Sequence, residues 1–162
     1  MSENENNKKL DISQRLLECM QLSVMDTLST MALLDTTPLD TKTSDIFNCS
    51  IQIGGLIHLY GKHEGMIAVL GERSIMIEII SKIICLPIEE MVDDDIFDGM
   101  CEIVNMIAGG MKSKAGLKTN AKLAPPIAII GSKCQAHWKT SRPTYITTFQ
   151  TEIGNFQVHT SV

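Results

Sequence analysis

One run in this 162-residue chain leaves little freedom about its local fold. Ile96, Met100, Ile103, Val104, Ile107 and Met111 recur at helical spacing after a triple aspartate and across a pair of glycines, Gly109-Gly110. Apolar residues at that period form one stripe of an α-helix, and the stripe must be buried. Asp93-Asp94-Asp95 places negative charge where a helix N-terminus favours it, and the helix is predicted to run to about Ala115, with Gly116 at its C-terminal cap, the alternative being that it frays near Gly109-Gly110. The same helix carries Glu102 and Asn105. Three residues apart, they lie about 60° apart around the axis and share a face. With Asp98 they project away from the stripe. An acid and an amide held on an outward face can bind a partner or place a water molecule. Many exposed helix faces carry such a pair with no role, so spacing alone does not decide.

Around this helix the pattern alternates between two periods. Residues from about Asp11 to Leu34 read as a long amphipathic helix with Leu16, Cys19, Met20, Val24, Leu28 and Met31 inward and Asp11 as a cap. Ile46–Ile53 alternates, Gly54-Gly55 reads as a turn or bulge, and Leu56–Tyr60 as the next strand. A hairpin loop at 61–65 returns the chain through Met66–Leu70. A second helix is predicted over Glu72–Ile84, closed by Pro87, with Ile75, Ile79, Ile80 and Ile83 buried. After Pro125-Pro126 the chain is β-like: 127–131, 134–139, 145–151 and 156–162. Helix, alternating strand and glycine occur in that order twice, a faint internal repeat. The expected architecture is α+β: one domain of long helices on a mainly antiparallel sheet of about six strands, in pseudo-repeated halves. Residues 1–10 are expected as a polar, disordered tail and 11–162 as the domain.

Composition narrows the partners. The net charge of −5 argues against nucleic acid, which favours a basic face. Lys112, Lys114, Lys118 and Lys122 form a local basic run, read as cations at the negative end of a helix dipole. Five cysteines, an odd count with no C-x-x-C pair, fit a reduced cytosolic protein with buried thiols; the four histidines share no ligand spacing with them, which argues against zinc. No secretory signal opens the chain, and no apolar run approaches the roughly 18 residues a membrane span needs.

Glu102-x-x-Asn105-Met106-Ile107-x-Gly109, followed by Pro125-Pro126 and an Ile-rich strand ending in Gly131, resembles the CheC/CheX/FliY family of CheY-phosphate phosphatases. The resemblance covers most of the chain, from about Ile12 to Val162. The first helix, with Val24-Met25-Asp26-Thr27-Leu28-Ser29-Thr30-Met31, is similar to the CheX branch. The CheC branch carries two such motifs. Here the first helix offers only Glu18-Cys19-Met20-Gln21, with Gln in place of Asn and no Met-Ile-x-Gly tail. It is read as a surface acid and a helix-face glutamine.

The resemblance implies an aspartyl phosphate on a CheY-like receiver domain as substrate. It implies Asn105 as the residue that orients the attacking water. Glu102 would pair with a lysine of the partner, and Asp98 would extend the docking surface or serve as a dipole charge. Gly109 would let a helix or the partner's backbone approach closely. Met106 and Ile107 are read as core. No cofactor is expected on this chain; Mg²⁺ is expected in the partner receiver. A homodimer with joined sheets is implied, as is a cytoplasmic location. Cys101, beside Glu102 in sequence, points about 100° away from it and offers no nucleophilic constellation. The alternative is a non-catalytic module that binds a receiver or a flagellar-switch-like scaffold through the same face.

Overall fold

The computed structural model of the protein describes residues 3–117, 119–139 and 142–161. Helix α1 (Glu3–Met31) leads into β1 (Thr37–Ser44), β2 (Phe47–Gly61) and β3 (Gly65–Gly71). Helices α2 (Arg73–Ile84) and α3 (Asp93–Lys114) follow, then β4 (Ala121–Leu123), β5 (Ile127–Trp138), β6 (Thr144–Thr151) and β7 (Gly154–Ser161). The fold is α+β, with seven antiparallel strands where about six were expected. The helices are uneven, at 29, 12 and 22 residues, so only α1 and α3 are long.

The sheet order is β1-β6-β7-β3-β2, with β5 and β4 both on the far side of β2. Exchanging β1, β2 and β3 for β5, β6 and β7 reproduces that order from the other end. The faint repeat in the sequence is therefore a property of the topology, and the two halves meet at the β3–β7 ladder.

Two strands escaped the sequence pattern. β1 (Thr-Pro-Leu-Asp-Thr-Lys-Thr-Ser) has no apolar alternation and is largely exposed; its ladder to β6 holds it in place. Pro38, Asp40 and Lys42 suit a strand whose other side meets water. β4 is three residues long and pairs with the end of β2. Gly54-Gly55, expected as a turn or bulge, makes no turn: both residues lie inside β2, just past the register shift between Ile51 and Ile53. Gly55 sits under α3, where a Cβ would meet the Met100 carbonyl oxygen at 2.8 Å. The glycine serves close approach of a helix and does not reverse the chain.

The first helix also differs from expectation. It begins at Glu3, so residues 3–10 continue the helix where a disordered tail was expected, and Asp11 is interior. No Gly or Pro interrupts Glu3–Leu10, and extending an anchored helix needs no new nucleus. It ends at Met31, which is exposed; Leu33 adopts a left-handed φ of 54°, and Ala32 and Leu34 take the buried places.

The main core lies between the helices and one sheet face. Leu16, Met20, Val24 and Leu28 of α1, Met76, Ile79 and Ile80 of α2, and the α3 stripe pack on Ile53, Ile57, Ile67, Val69, Phe149, Phe156 and Val158. A second cluster on the opposite face joins Ile51, Leu56, Met66, Ala68 and Leu70 to Ile129, Cys134, Ala136 and Trp138. Ile51 and Ile53, expected on one face, enter different clusters because the β2–β5 register shifts between them. Phe47 and Cys49, expected on that same face, have side chains outside the described ones. Trp138 pairs with Phe47, yet its ring lies 5.1 Å from that of His58, tilted by 47°, so this ribbon folds back over its own sheet. A straight strand would separate those two register positions by about 36 Å.

Candidate functional site

Helix α3 is fixed at both ends and on three sides. At its start the Val92 N–H donates to Asp95 Oδ2 at 2.9 Å, and three aspartates occupy the first turn. At its end Gly116 takes φ 71°, with Leu117 N–H donating to the Lys112 carbonyl (2.9 Å) and Gly116 N–H to that of Ser113 (3.1 Å). This is the Schellman closure expected of a C-terminal glycine. Lys112 and Lys114 fill the last turn; Lys118 of the same run lies outside the described residues.

Ile96, Met100, Ile103, Val104, Ile107 and Met111 are all buried, as their period required. The sequence did not reveal what locks the helix sideways. Ser23 of α1 donates its hydroxyl to the Ile107 carbonyl at 2.8 Å, in a buried contact. Gly110 lies against Ser23 so closely that a Cβ there would overlap Ser23 Oγ. Asp26 of α1 and Lys114 of α3 form an ion pair at the rim of the same seam. The available signal was a serine on the buried arc of α1 and a glycine inside α3, which sequence pattern alone does not pair.

The remaining arc of α3 faces solvent. Asp98, Glu102 and Asn105 are exposed there, and Ile107 is core as expected. Met106 is half-buried against the core rather than sealed in it. Among the described residues neither Glu102 nor Asn105 has a hydrogen-bond or ion-pair partner. Both are available to a second molecule. Gly109, one turn beyond Asn105, is half-buried, and a Cβ there would meet nothing within 4 Å. Cys101 sits at the β5 side of this face. Partial burial pushes its pKa above the ordinary thiol value and the Asp98 carboxylate adds to this; a backbone hydrogen bond from Ala128 acts the other way. The thiol is thus poorly suited to act as a nucleophile at neutral pH.

The related pair on α1 is placed differently. Glu18 is exposed, but Gln21 is half-buried and donates through Nε2 to Thr41 Oγ1 at 3.3 Å. Thr41 is in turn bonded to Thr147 Oγ1 at 3.0 Å. That amide belongs to the packing of α1 on the β1–β6 edge. Elsewhere, His159 is buried within the sheet, and burial lowers its pKa to about 4. Among the described residues no helix is long and apolar enough to cross a membrane.

Fold and site together define a class: two half-repeats joined in one sheet that present an acid–amide ridge on α3, with no nucleophile–base pair beside it among the described residues. The chain belongs to the chemotaxis phosphatase CheX family, whose family model matches residues 53–150, from mid-β2 to the end of β6. Among solved structures it is similar to a putative chemotaxis protein from Desulfovibrio vulgaris Hildenborough. The identity is 22% over 90% of this chain and 94% of that one, with a TM-score of 0.79. It is also similar to a chemotaxis protein CheX from Desulfovibrio desulfuricans, at 20% identity over 93% and 97% of the two chains and a TM-score of 0.77. A third is a CheX–CheY–BeF3–Mg²⁺ complex from Borrelia burgdorferi, at 19% identity, 90% and 96% coverage and a TM-score of 0.67. At such identities these structures establish the fold. No curated protein matches the chain.

Proposed function

We propose that this protein is a phosphatase for the aspartyl phosphate of a CheY-like receiver domain, with Asn105 orienting the water that attacks phosphorus. The observation that carries the reading is the joint exposure of Glu102 and Asn105, unpartnered among the described residues, on a helix whose other sides are locked. Membership of the CheX family and the similarity to a CheX–CheY complex support it.

The chemistry asks for little from this chain. An acyl phosphate has a good leaving group, so the barrier is one of alignment and charge. Water forms the new P–O bond as the bond to the aspartyl oxygen breaks, giving inorganic phosphate and a free carboxylate. A carboxamide suits the alignment: its oxygen accepts a hydrogen bond from the water and its NH₂ donates one nearby. It is held on a helix and not on a loop, which limits the geometry lost to motion. Glu102, nearly a turn away, pairs with a cation of the receiver and fixes the approach. Asp98 extends the acidic part of that surface. Gly109 leaves bare backbone for close approach. Charge neutralisation at the phosphoryl group, including Mg²⁺, falls to the receiver.

The same reading places the protein in the cytoplasm, where receiver domains are phosphorylated, and as a homodimer. The outer edge of β5, from Ile127 to Trp138, has no strand partner on this chain among the described residues, whereas the opposite edge strand β1 carries Pro38, Asp40 and Lys42. The β5 edge is the better place for a second copy to join the sheet.

The test is a panel of phosphorylated receiver domains with Mg²⁺, each followed for loss of phosphate at low molar ratios of this protein. Multiple turnovers on at least one receiver are expected. Binding that protects the phosphoryl group, with no turnover on any, would replace the enzyme with a receiver-binding module.

A further inference from the structure

We propose that α1 supplies an apolar anchor, Leu22, for the receiver domain that Glu102 and Asn105 engage; this rests on the phosphatase reading above. Ser23 abuts Gly110 at the α1–α3 seam, so Leu22 and Gly109, each one residue earlier, lie at nearly the same level on its two helices. Leu22 is 51% exposed. A single exposed leucine is ordinary on a protein surface. This one adjoins Ser23, which seats α1 on the helix that carries Asn105.

Gly109 is the second half of the argument. Gly110 is required by Ser23, and Gly55 by the Met100 carbonyl. Gly109 has helical backbone and nothing within 4 Å of its Cβ position, so no internal contact requires it. Glycine disfavours a helix interior relative to alanine, and nothing inside this fold offsets that. The open position it leaves lies beside Gly110, at the seam where Ser23, the residue after Leu22, seats α1 against α3.

Leu22 is also held still. Gln21 before it is bonded to Thr41, and Ser23 after it to Ile107. A side chain presented on fixed backbone loses little entropy when it is covered. From Asn105 to Leu22 is about one helical turn plus one interhelical spacing, some 10–15 Å. A standard interface covers about 800 Å² per partner, a disc roughly 30 Å across. A footprint of that size around Asn105 is wide enough to reach Leu22. The occupant is an apolar side chain on the receiver's docking face. Leu22 lies outside residues 53–150, the span shared with the family model, so this chain can choose its receiver there without altering the catalytic helix.

The experiment uses the full chain and the phosphorylated receiver that the parent turns over best. Leu22→Glu is expected to raise KM roughly tenfold while kcat and Tm stay near parent values. Gly109→Ala is expected to raise KM while raising Tm by a few degrees, because it improves the helix and fills the open position. Ile46→Glu, at a site equally exposed (51%) in the β1–β2 turn, is the control and keeps the parental KM. An unchanged KM in Leu22→Glu overturns the anchor. A raised KM accompanied by loss of dimer in light scattering also overturns it, assigning Leu22 to a contact between copies. If the parent neither turns over nor binds any beryllofluoride-loaded receiver, the phosphatase reading itself falls; an active parent with an insensitive Leu22→Glu removes the anchor alone.

Discussion

Helices α1 and α3 occupy matching places in the two half-repeats, and each carries an acid with an amide three residues on. On α3 both side chains stand clear of the fold. On α1 the amide, Gln21, is drawn into Thr41 and through it to Thr147. The difference is partly one side-chain carbon and partly what lies beside each helix. Gln21 is close to an edge strand rich in hydroxyls; Asn105 faces open solvent. An acid–amide spacing is therefore a site only where the surrounding packing leaves the amide unused.

The largest expected effect falls on Asn105. Asn105→Ala should lower turnover on a phosphorylated receiver at least about 100-fold with an unchanged thermal midpoint, since the side chain packs against nothing. Parental turnover by that variant would place the two helices on an equal footing and break the comparison. Next is the seam that joins them. Gly110→Ala forces a methyl group into Ser23 Oγ and should cost about 2–3 kcal/mol in urea unfolding. Adding Ser23→Ala should recover part of the loss, giving a non-additive cycle.

The sheet beneath both helices gives a pH test. Burial holds His159 at a pKa of about 4 against an ordinary 6.5. Between those values the unfolded chain takes up a proton that the folded chain refuses. Stability should therefore be full above about pH 6.5 and fall as pH drops through 4, by about 3 kcal/mol in total. A His159→Asn variant should lose that slope in denaturant titrations across the window. The carboxylates then remain: Glu102→Ala should raise KM roughly tenfold, whereas Glu18→Ala should leave it unchanged. Smallest of all, Gln21→Ala should leave turnover at the parental value and cost under about 1 kcal/mol of stability, the worth of one partly exposed hydrogen bond.

Much of α3 was legible in the sequence. Its buried stripe, its acidic start, its Gly116 cap and its outward Asp98, Glu102 and Asn105 all lie where the helical period put them. What failed were the inferences from glycine and from polarity. Gly54-Gly55 read as a turn or bulge because glycine often marks one; there is no turn, and Gly55 clears space for a helix distant in sequence. β1 drew no assignment because its residues are polar and do not alternate, yet a ladder to β6 is sufficient to make it a strand. The tail before Asp11 read as disordered because it is polar, yet its residues 3–10 extend a helix that α3 already anchors.

Local order fixed what the sequence alone determined here: which face of each helix is apolar, where α3 begins and ends, and that an acid and an amide share one exposed ridge. These follow from a period of 3.6 residues and from end groups that need partners within a few residues. The tertiary structure decided the rest. The close approach of Ser23 to Gly110, the capture of Gln21 by Thr41, the fold-back of the β2–β5 ribbon and the openness around Gly109 all depend on groups far apart in the chain. Non-local packing has no period to read, and it is packing that separates the amide held by its own fold from the one left free for a partner.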